Sequence, residues 1–250
     1  MKELSIIIAT YNAETTLQKC LDSIISQKNE AIELIIIDGE SQDETADIVN
    51  HNSDFIDKYI SEPDNGIYDA WNKGIKLSTG RWIMFVGADD TILPNTLGDY
   101  VDFAFNADDS NDIITAESNF VDLAGQTIKI IGEPYHWDKY KRNMNISHGS
   151  TFHNRRLFSE VGLYNTNYKI CADYELLMRK GALLKGLFYD HVILEFKIGG
   201  ASFSFRCQKE TFEIRKKYNT VPLVLNFLLS AKRVLGIIFK KIYYSTNEDK

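Results

Sequence analysis

Apolar and polar residues alternate along the first half of the chain in blocks whose lengths fit strands and helices in turn. Leu4–Ala9 is an almost unbroken apolar run of strand length, the pattern of a strand covered on both faces. In Thr15–Gln27, Leu17, Leu21, Ile24 and Ile25 recur at helical spacing. Ile32–Asp38 repeats the buried-strand pattern. Ser41 heads Ser-Gln-Asp-Glu, a capping-box sequence that predicts a helix from there through Val49. Phe55–Ser61 reads as a third strand, Tyr68–Leu77 as a short helix and Arg81–Val86 as a fourth strand. Pro94 suits the opening of a following helix, where its missing N–H costs nothing. Strands alternating with helices predict an α/β fold, a parallel sheet with helices on both faces.

From Asp112 the pattern changes. Ile113–Ala116, Asn119–Leu123 and Gln126–Ile131 read as strands of a meander, with Ala124-Gly125 as a turn. Arg155–Val161 and Asp173–Leu184 read as helices, Gly186–Tyr189 and Val192–Phe196 as strands. A helical tail is expected from about Phe212, its main helix spanning Val221–Tyr244. In that helix Val224, Phe227, Leu228, Ala231, Val234, Leu235, Ile238 and Ile242 share one face. Lys232, Arg233, Lys240 and Lys241 fall opposite. Asn226, Ser230 and the charges interrupt it too often for a transmembrane span. The expected division is a domain over residues 1–211 and a basic amphipathic tail over 212–250.

Charge sharpens this picture. The 250 residues carry a formal charge of −7, which argues against a general nucleic-acid binder. Residues 214–250 hold eight Lys/Arg and two Asp/Glu, a net of +6, leaving −13 on the rest. Such a tail has two readings. It lies on an anionic membrane surface, or it packs its apolar face on the domain. Cys20, Cys171 and Cys207 are too few and too scattered for a disulfide framework or a zinc site. A reducing compartment is therefore expected. The apolar opening is short and passes straight into Thr10-Tyr11-Asn12, so no secretory signal is expected either.

In parallel sheets of this kind ligands sit beyond the carboxyl ends of the strands. Asp89 and Asp90 follow an apolar strand at that edge. Adjacent carboxylates repel, and a hard divalent cation relieves them; the alternative is a pair of solvated turn residues. Asp38 ends the second strand, where an acid commonly meets a nucleoside, or merely faces a helix N-terminus. No Gly-x-Gly-x-x-Gly and no P-loop follows the first strand, so glycine does not cradle phosphate here. Metal neutralisation of a diphosphate is the usual substitute. Asp173 stands at a helix start, suited both to capping and to general-base work.

Several stretches, taken in order, resemble the inverting glycosyltransferases of family 2, which have the GT-A fold. They are Ser5-Ile-Ile-Ile-Ala-Thr-Tyr-Asn12, Ser23-Ile-Ile-Ser-Gln27 and Glu33-Leu-Ile-Ile-Ile-Asp-Gly39. Ser61-Glu-Pro-Asp-Asn-Gly-Ile-Tyr-Asp-Ala-Trp-Asn-Lys-Gly-Ile75 is similar to a segment of the bacterial surface-polysaccharide members. Gly80-Arg-Trp-Ile-Met-Phe-Val-Gly-Ala-Asp-Asp90 resembles the strand leading to the metal motif, and Cys171-Ala-Asp-Tyr-Glu-Leu176 the segment of the base. The resemblance spans roughly residues 4–200.

It implies that Thr10 and Tyr11 line a nucleoside pocket and that Asp38 contacts uracil or ribose. Asp89 and Asp90 would serve the diphosphate and its Mn²⁺ or Mg²⁺, and Asp173 would be the base. The usual Asp-x-Asp has Gly87 in place of its first acid, so Asp89 is expected to lead in metal binding, with Asp90 behind it. Asp64, Asn72 and Lys73 are expected to flank the donor sugar or its phosphates; the alternative is a turn at Asp64-Asn65-Gly66 followed by a solvated helix face. His148 is an acceptor-site candidate; the alternative for it is a structural histidine. The implied activity is hexose transfer from a UDP-sugar to a sugar on a diphosphoundecaprenol lipid, by β-linkage, in O-antigen or capsule synthesis. The implied place is the cytoplasmic face of the plasma membrane. Three other readings stand beside it: a non-catalytic nucleotide-sugar module, a transferase with a non-lipid acceptor, and a nucleotidyltransferase. The last is weakened by the missing glycine-rich, lysine-bearing opening loop.

Overall fold

The computed structural model describes residues 2–122, 125–197 and 204–247, with side chains as far as Gly236. Four parallel strands form its first half: β1 (Leu4–Thr10), β2 (Ile32–Asp38), β3 (Lys58–Ser61) and β4 (Trp82–Gly87). They are linked by α1 (Leu17–Ile25), α2 (Thr45–His51) and α3 (Ile67–Leu77). Short β5 (Thr91–Ile92) and α4 (Leu97–Phe105) follow. The second half supplies β6 (Ile113–Val121), β7 (Thr127–Ile131), α5 (Trp137–Tyr140), β8 (Phe152–Asn154) and α6 (Arg155–Val161). Then come α7 (Ala172–Met178), β9 (Gly186–Lys197), α8 (Phe205–Lys217) and α9 (Leu223–Asn247). All strands join one mixed sheet of order β3-β2-β1-β4-β8-β6-β9-β5, with β7 beside β6.

The period of two explains why β1 and β2 are apolar throughout. Leu4, Ile6 and Ile8 of β1 and Leu34 and Ile36 of β2 face a core shared with α1 and α4. Ile7 of β1 and Ile35 and Ile37 of β2 face a second core under α3, α7 and α8. Burying both faces fixes the register, since a one-residue slip would exchange the two sets. The switch to antiparallel pairing comes where β8 lies against β4, Met84 opposite Phe152. That edge is where the parallel and mixed halves meet.

The structure corrects several expected boundaries. Ser41 caps no helix; its hydroxyl and N–H both turn to Asp38, and α2 begins only at Thr45. The helix after Pro94 begins at Leu97. The first two strands of the expected meander are one strand, β6, which carries Glu117 and Ser118 through an irregularity in its pairing with β9. The buried Ser118 hydroxyl is satisfied by Ser147 at 2.6 Å, so the polar pair does not break the strand. Gly186–Tyr189 and Val192–Phe196 likewise merge into β9. The expected Leu123 strand end and the Ala124 turn position lie outside the described residues. The expected division at 211/212 falls inside α8.

As far as Gly236 the tail helix carries the expected apolar stripe, and most of that part faces solvent; Ile238 and Ile242 lie outside the residues whose side chains are described. Leu223, Val224, Phe227, Leu228 and Leu235 are all exposed. The docked side holds Asn226 and Ser230 instead. Arg215 of α8, fully buried, donates to Asn226 Oδ1 at 2.6 Å, Ser230 Oγ at 2.8 Å and the Arg142 carbonyl at 2.7 Å. Asn226 in turn donates to the Phe212 carbonyl at 3.1 Å. A buried guanidinium needs acceptors, and Asn226 and Ser230, one turn apart, supply them. Among the described residues no helix is long and apolar enough to cross a membrane.

Candidate active site

The loops after β1 and β2 and the turn before α3 enclose a cleft of about 530 Å³, lined by Thr10, Tyr11, Gly39, Pro63, Asp64 and Ile67 among others. Tyr11 is 67% exposed, its ring free to lie along a flat ligand. Gly39 is required by close approach: a Cβ there would stand 2.8 Å from Asp64 Oδ2 and 3.3 Å from the Tyr11 ring. Asp64 is held by accepting the Gly66 N–H at 2.7 Å. The structure thus brings Thr10, Tyr11 and Asp64 to one cleft.

Asp38 lies behind this cleft. Its oxygens accept from the Thr10 hydroxyl at 3.0 Å, the Ser61 hydroxyl at 2.7 Å, the Ser41 N–H at 3.0 Å and the Ser41 hydroxyl. Four donors fill the four lone-pair positions of a carboxylate. Burial raises its pKa, but the bonds from Ser41, Ser61 and Thr10 outweigh that and hold it below the usual range. As placed, Asp38 ties the ends of β1, β2 and β3 together and has no oxygen left for a base or ribose.

Asn72 and Lys73 also hold loops. Asn72 pairs both ways with the backbone of Tyr164, accepting its N–H and donating to its carbonyl at 2.9 Å each. Lys73 donates to the Pro63 carbonyl at 2.8 Å and pairs with Glu62 at 3.0 Å, supporting the cleft wall from behind.

At the end of β4, Asp89 is exposed and Asp90 is buried. Asp90 Oδ2 accepts the Gly87 N–H at 3.1 Å, while its buried Oδ1 has no partner among the described residues. Burial, and then the like charge of Asp89, push the Asp90 carboxyl well above the usual range. A Cβ on Gly87 would lie 2.9 Å from an oxygen of each acid, so both carboxylates converge on the space beside it. An orphaned buried oxygen beside a second carboxylate fits a hard divalent cation that takes its remaining ligands from phosphate and water. No cluster of three or more acidic, histidine or cysteine ligands exists among the described residues.

Asp173 sits in the first turn of α7, accepting the Tyr174 N–H at 2.8 Å and the Tyr68 hydroxyl at 3.2 Å. Burial pushes its carboxyl up to about 6, against the pull of those two bonds. That is the range in which a carboxylate works as a base near neutral pH. A continuous aromatic layer connects it to the acidic pair. Tyr68 packs on Trp71 and Tyr164 at 5.3 and 5.4 Å between ring centres. His148 packs against both Trp71 and Phe85, which themselves touch at 4.9 Å between ring centres, and shares a hydrogen bond of 3.0 Å with the Tyr164 hydroxyl. The next residue, Gly149, would carry a Cβ only 3.6 Å from Asp90 Oδ2. Burial, with His153 adding to it, holds His148 well below the ordinary histidine range, so it is a neutral hydrogen-bonding group.

Sequence reasoning missed Tyr68, Trp71 and Tyr164 as parts of the site. Tyr68 lies 105 positions before its partner Asp173, and nothing local in the sequence couples them.

Comparison with known proteins follows the same lines. The profile of Glycosyl transferase family 2 matches residues 5–185. A PGL/p-HBAD biosynthesis glycosyltransferase of Mycobacterium bovis is 35% identical over 183 residues, covering 70% of this chain and 68% of that protein. Among solved structures, S. aureus TarS residues 1–349 in complex with UDP-GlcNAc superposes with a TM-score of 0.70 at 16% identity, over 93% of this chain and 71% of that one. The mannosyltransferase PcManGT of Pyrobaculum calidifontis, in complex with GDP-Man and Mn²⁺, gives 0.67 at 15% identity, over 94% and 74%.

Proposed function

Because the chain belongs to glycosyl transferase family 2 and is a glycosyltransferase of the GT-A fold, we propose that it is an inverting hexosyltransferase. It would move a hexose from a UDP-sugar, with Mn²⁺ or Mg²⁺, onto a lipid-linked sugar of the GlcNAc- or GalNAc-diphosphoundecaprenol type. The linkage would be β, in O-antigen or capsule assembly. The observation that carries the reading is Asp173, a carboxylate with a pKa raised to about 6 by burial, joined to the Asp89/Asp90 pair by one packed layer. A nucleotide-sugar binder needs no such group.

In this mechanism Tyr11, Thr10 and Asp64 hold the nucleoside end of the donor. Asp89 and Asp90 would hold the cation, which when bound would supply Lewis-acid stabilisation of the departing diphosphate. Asp173 accepts the proton of the attacking hydroxyl as the new glycosidic bond forms and the anomeric C–O bond to the diphosphate breaks. One displacement with one base inverts the centre, and no covalent nucleophile is required. His148, neutral and packed against Trp71 and Phe85, would hydrogen-bond an acceptor sugar.

The outward stripe of α9 supports residence on the inner face of an anionic plasma membrane. Exposed Leu223, Val224, Phe227, Leu228 and Leu235 lie on the segment that carries net +6 in an otherwise acidic chain. Two such tails repel each other, which disfavours self-association through the stripe. The test is a donor-by-acceptor screen with Mn²⁺ or Mg²⁺, read by UDP release and product linkage, alongside sedimentation with anionic vesicles. Transfer to soluble sugars but never to lipid-diphosphate sugars would point to a different acceptor class.

A further inference from the structure

The base loop is gripped by a helix that lies outside the family-matched residues 5–185. Glu210 of α8 is buried, and its carboxylate accepts three consecutive backbone N–H groups: Lys169 at 2.9 Å, Ile170 at 2.9 Å and Cys171 at 3.0 Å. These residues lead directly into α7, whose second residue is Asp173. On the opposite side, the Tyr68 hydroxyl donates to the Ile170 carbonyl at 2.6 Å. The backbone of residue 170 is thus held by its N–H from α8 and by its carbonyl from α3. Cys171 Sγ rests 3.4 Å from Cys207 Sγ on the same α8. Beyond the base, Glu175 of α7 accepts from Lys217 at 2.9 Å, at the far end of α8. One helix therefore brackets the base on both sides.

We propose that Glu210 is a positioning residue for glycosyl transfer: by chelating the N–H groups of Lys169, Ile170 and Cys171 it fixes where the Asp173 carboxylate stands. This rests on the reading of Asp173 as the base. A staple that only fastened α8 to the domain could sit anywhere along the helix. This one closes on the backbone two to four residues before the reacting group, where a shift of the peptide planes moves the carboxylate directly. Charge-assisted bonds to a shielded carboxylate are short and strong, which suits that task.

The groups facing Asp173 are Tyr68 from α3, Tyr140 from α5, Tyr164, the adjoining Cys171, and Cys207 and Glu210 from α8. Burial raises the three tyrosines, and the Cys207 contact together with burial raises Cys171, so all four stay neutral in the working range. Glu210, which also pairs with Arg206 of its own helix at 3.2 Å, is the carboxylate of this set, and after burial its charge adds to the rise of Asp173. Removing that charge lowers the pKa of the base.

The test compares Glu210→Gln with Glu213→Gln in the full chain. Glu213, a neighbour on α8 that pairs with Lys209 at 4.0 Å, serves as the control for a lost charge. In Glu210→Gln, kcat is expected to fall about 10- to 100-fold, the donor KM to stay put, and the acid limb of the kcat profile to move to lower pH. Glu213→Gln is expected to match the unaltered enzyme. Amide hydrogen exchange on the unaltered protein provides a readout that needs no variant. The N–H groups of residues 169–171 should be protected far beyond an ordinary loop. Overturning results are free exchange at those amides, or a Glu210→Gln profile that keeps its acid limb and loses rate only with its folded fraction. Asp173→Asn separates the two readings: if it retains turnover, the base assignment falls and this proposal with it. If it is inactive while Glu210→Gln is normal, only the positioning role falls.

Discussion

Replacing Tyr68 by Phe removes one oxygen and tests the base directly. The single Tyr68 hydroxyl proton is shared between the Ile170 carbonyl at 2.6 Å and Asp173 Oδ1 at 3.2 Å. A well-made bond to a charged group contributes about 1.5–3 kcal/mol. The longer arm of a shared proton contributes less, of order 0.5–1 kcal/mol. One pKa unit corresponds to about 1.4 kcal/mol, so losing that arm raises Asp173 by roughly half a unit. Starting from about 6, the ionised fraction at pH 6.5 falls from about three quarters to about one half. The rate at pH 6.5 should fall accordingly, while the plateau near pH 8 changes little. The same change leaves the Ile170 carbonyl without its donor, at about 1–2 kcal/mol of stability. The assay is kcat against pH, with saturating donor, beside a urea titration. An acid limb that stays in place, or moves to lower pH, would refute the assignment of Asp173 as the titrating base.

Asp173→Asn is expected to lower kcat by about 10²–10⁴-fold with donor affinity unchanged. It should also be the more stable protein above neutrality. The folded pKa is raised from 3.8 to about 6, so the contribution to stability is full below the unfolded value and is lost as pH rises through 6. Melting at pH 7.5 should therefore favour the asparagine by about 1–3 kcal/mol, with no advantage at pH 4. For Asp38→Ala, whose four donors lose their acceptor, urea unfolding at pH 7 should show a loss of about 2–4 kcal/mol. Because the folded Asp38 pKa is depressed, that difference should shrink as pH falls below the unfolded value of 3.8; a constant difference would deny the carboxylate its ionic role. Asp89→Asn should raise the Mn²⁺ concentration for half-maximal rate by at least about ten-fold, and an unchanged value would remove the pair from cation binding.

The first half of the fold is legible in the sequence because β1 and β2 are apolar on both faces, a pattern few other arrangements allow. Polar residues inside elements misled the reading. Glu117-Ser118 looks like a break, yet Ser147, far along the chain, satisfies the serine within a continuous strand. Ser41 has the local grammar of a cap, but Asp38 outcompetes the helix for both its hydroxyl and its N–H. Asp89, Asp90 and Asp173 could be picked out from their positions at element ends. Their neighbours could not. Tyr68 meets Asp173 across 105 positions and Glu210 meets the Ile170 backbone across 40, and such pairings leave no local periodicity. For the tail, spacing showed that α9 has two unlike faces but not which one docks. The buried Arg215 decided that.

A helix that tucks asparagine and serine inward and turns leucine and phenylalanine to water leaves the protein unfinished at one end. Its handling in the laboratory should betray this: retention on hydrophobic resins, losses to plastic and recovery on adding a mild detergent, all abolished by Phe227→Glu together with Leu228→Glu. Purified as a clean monomer with no such losses, it would count against a lipid surface as the partner of that stripe.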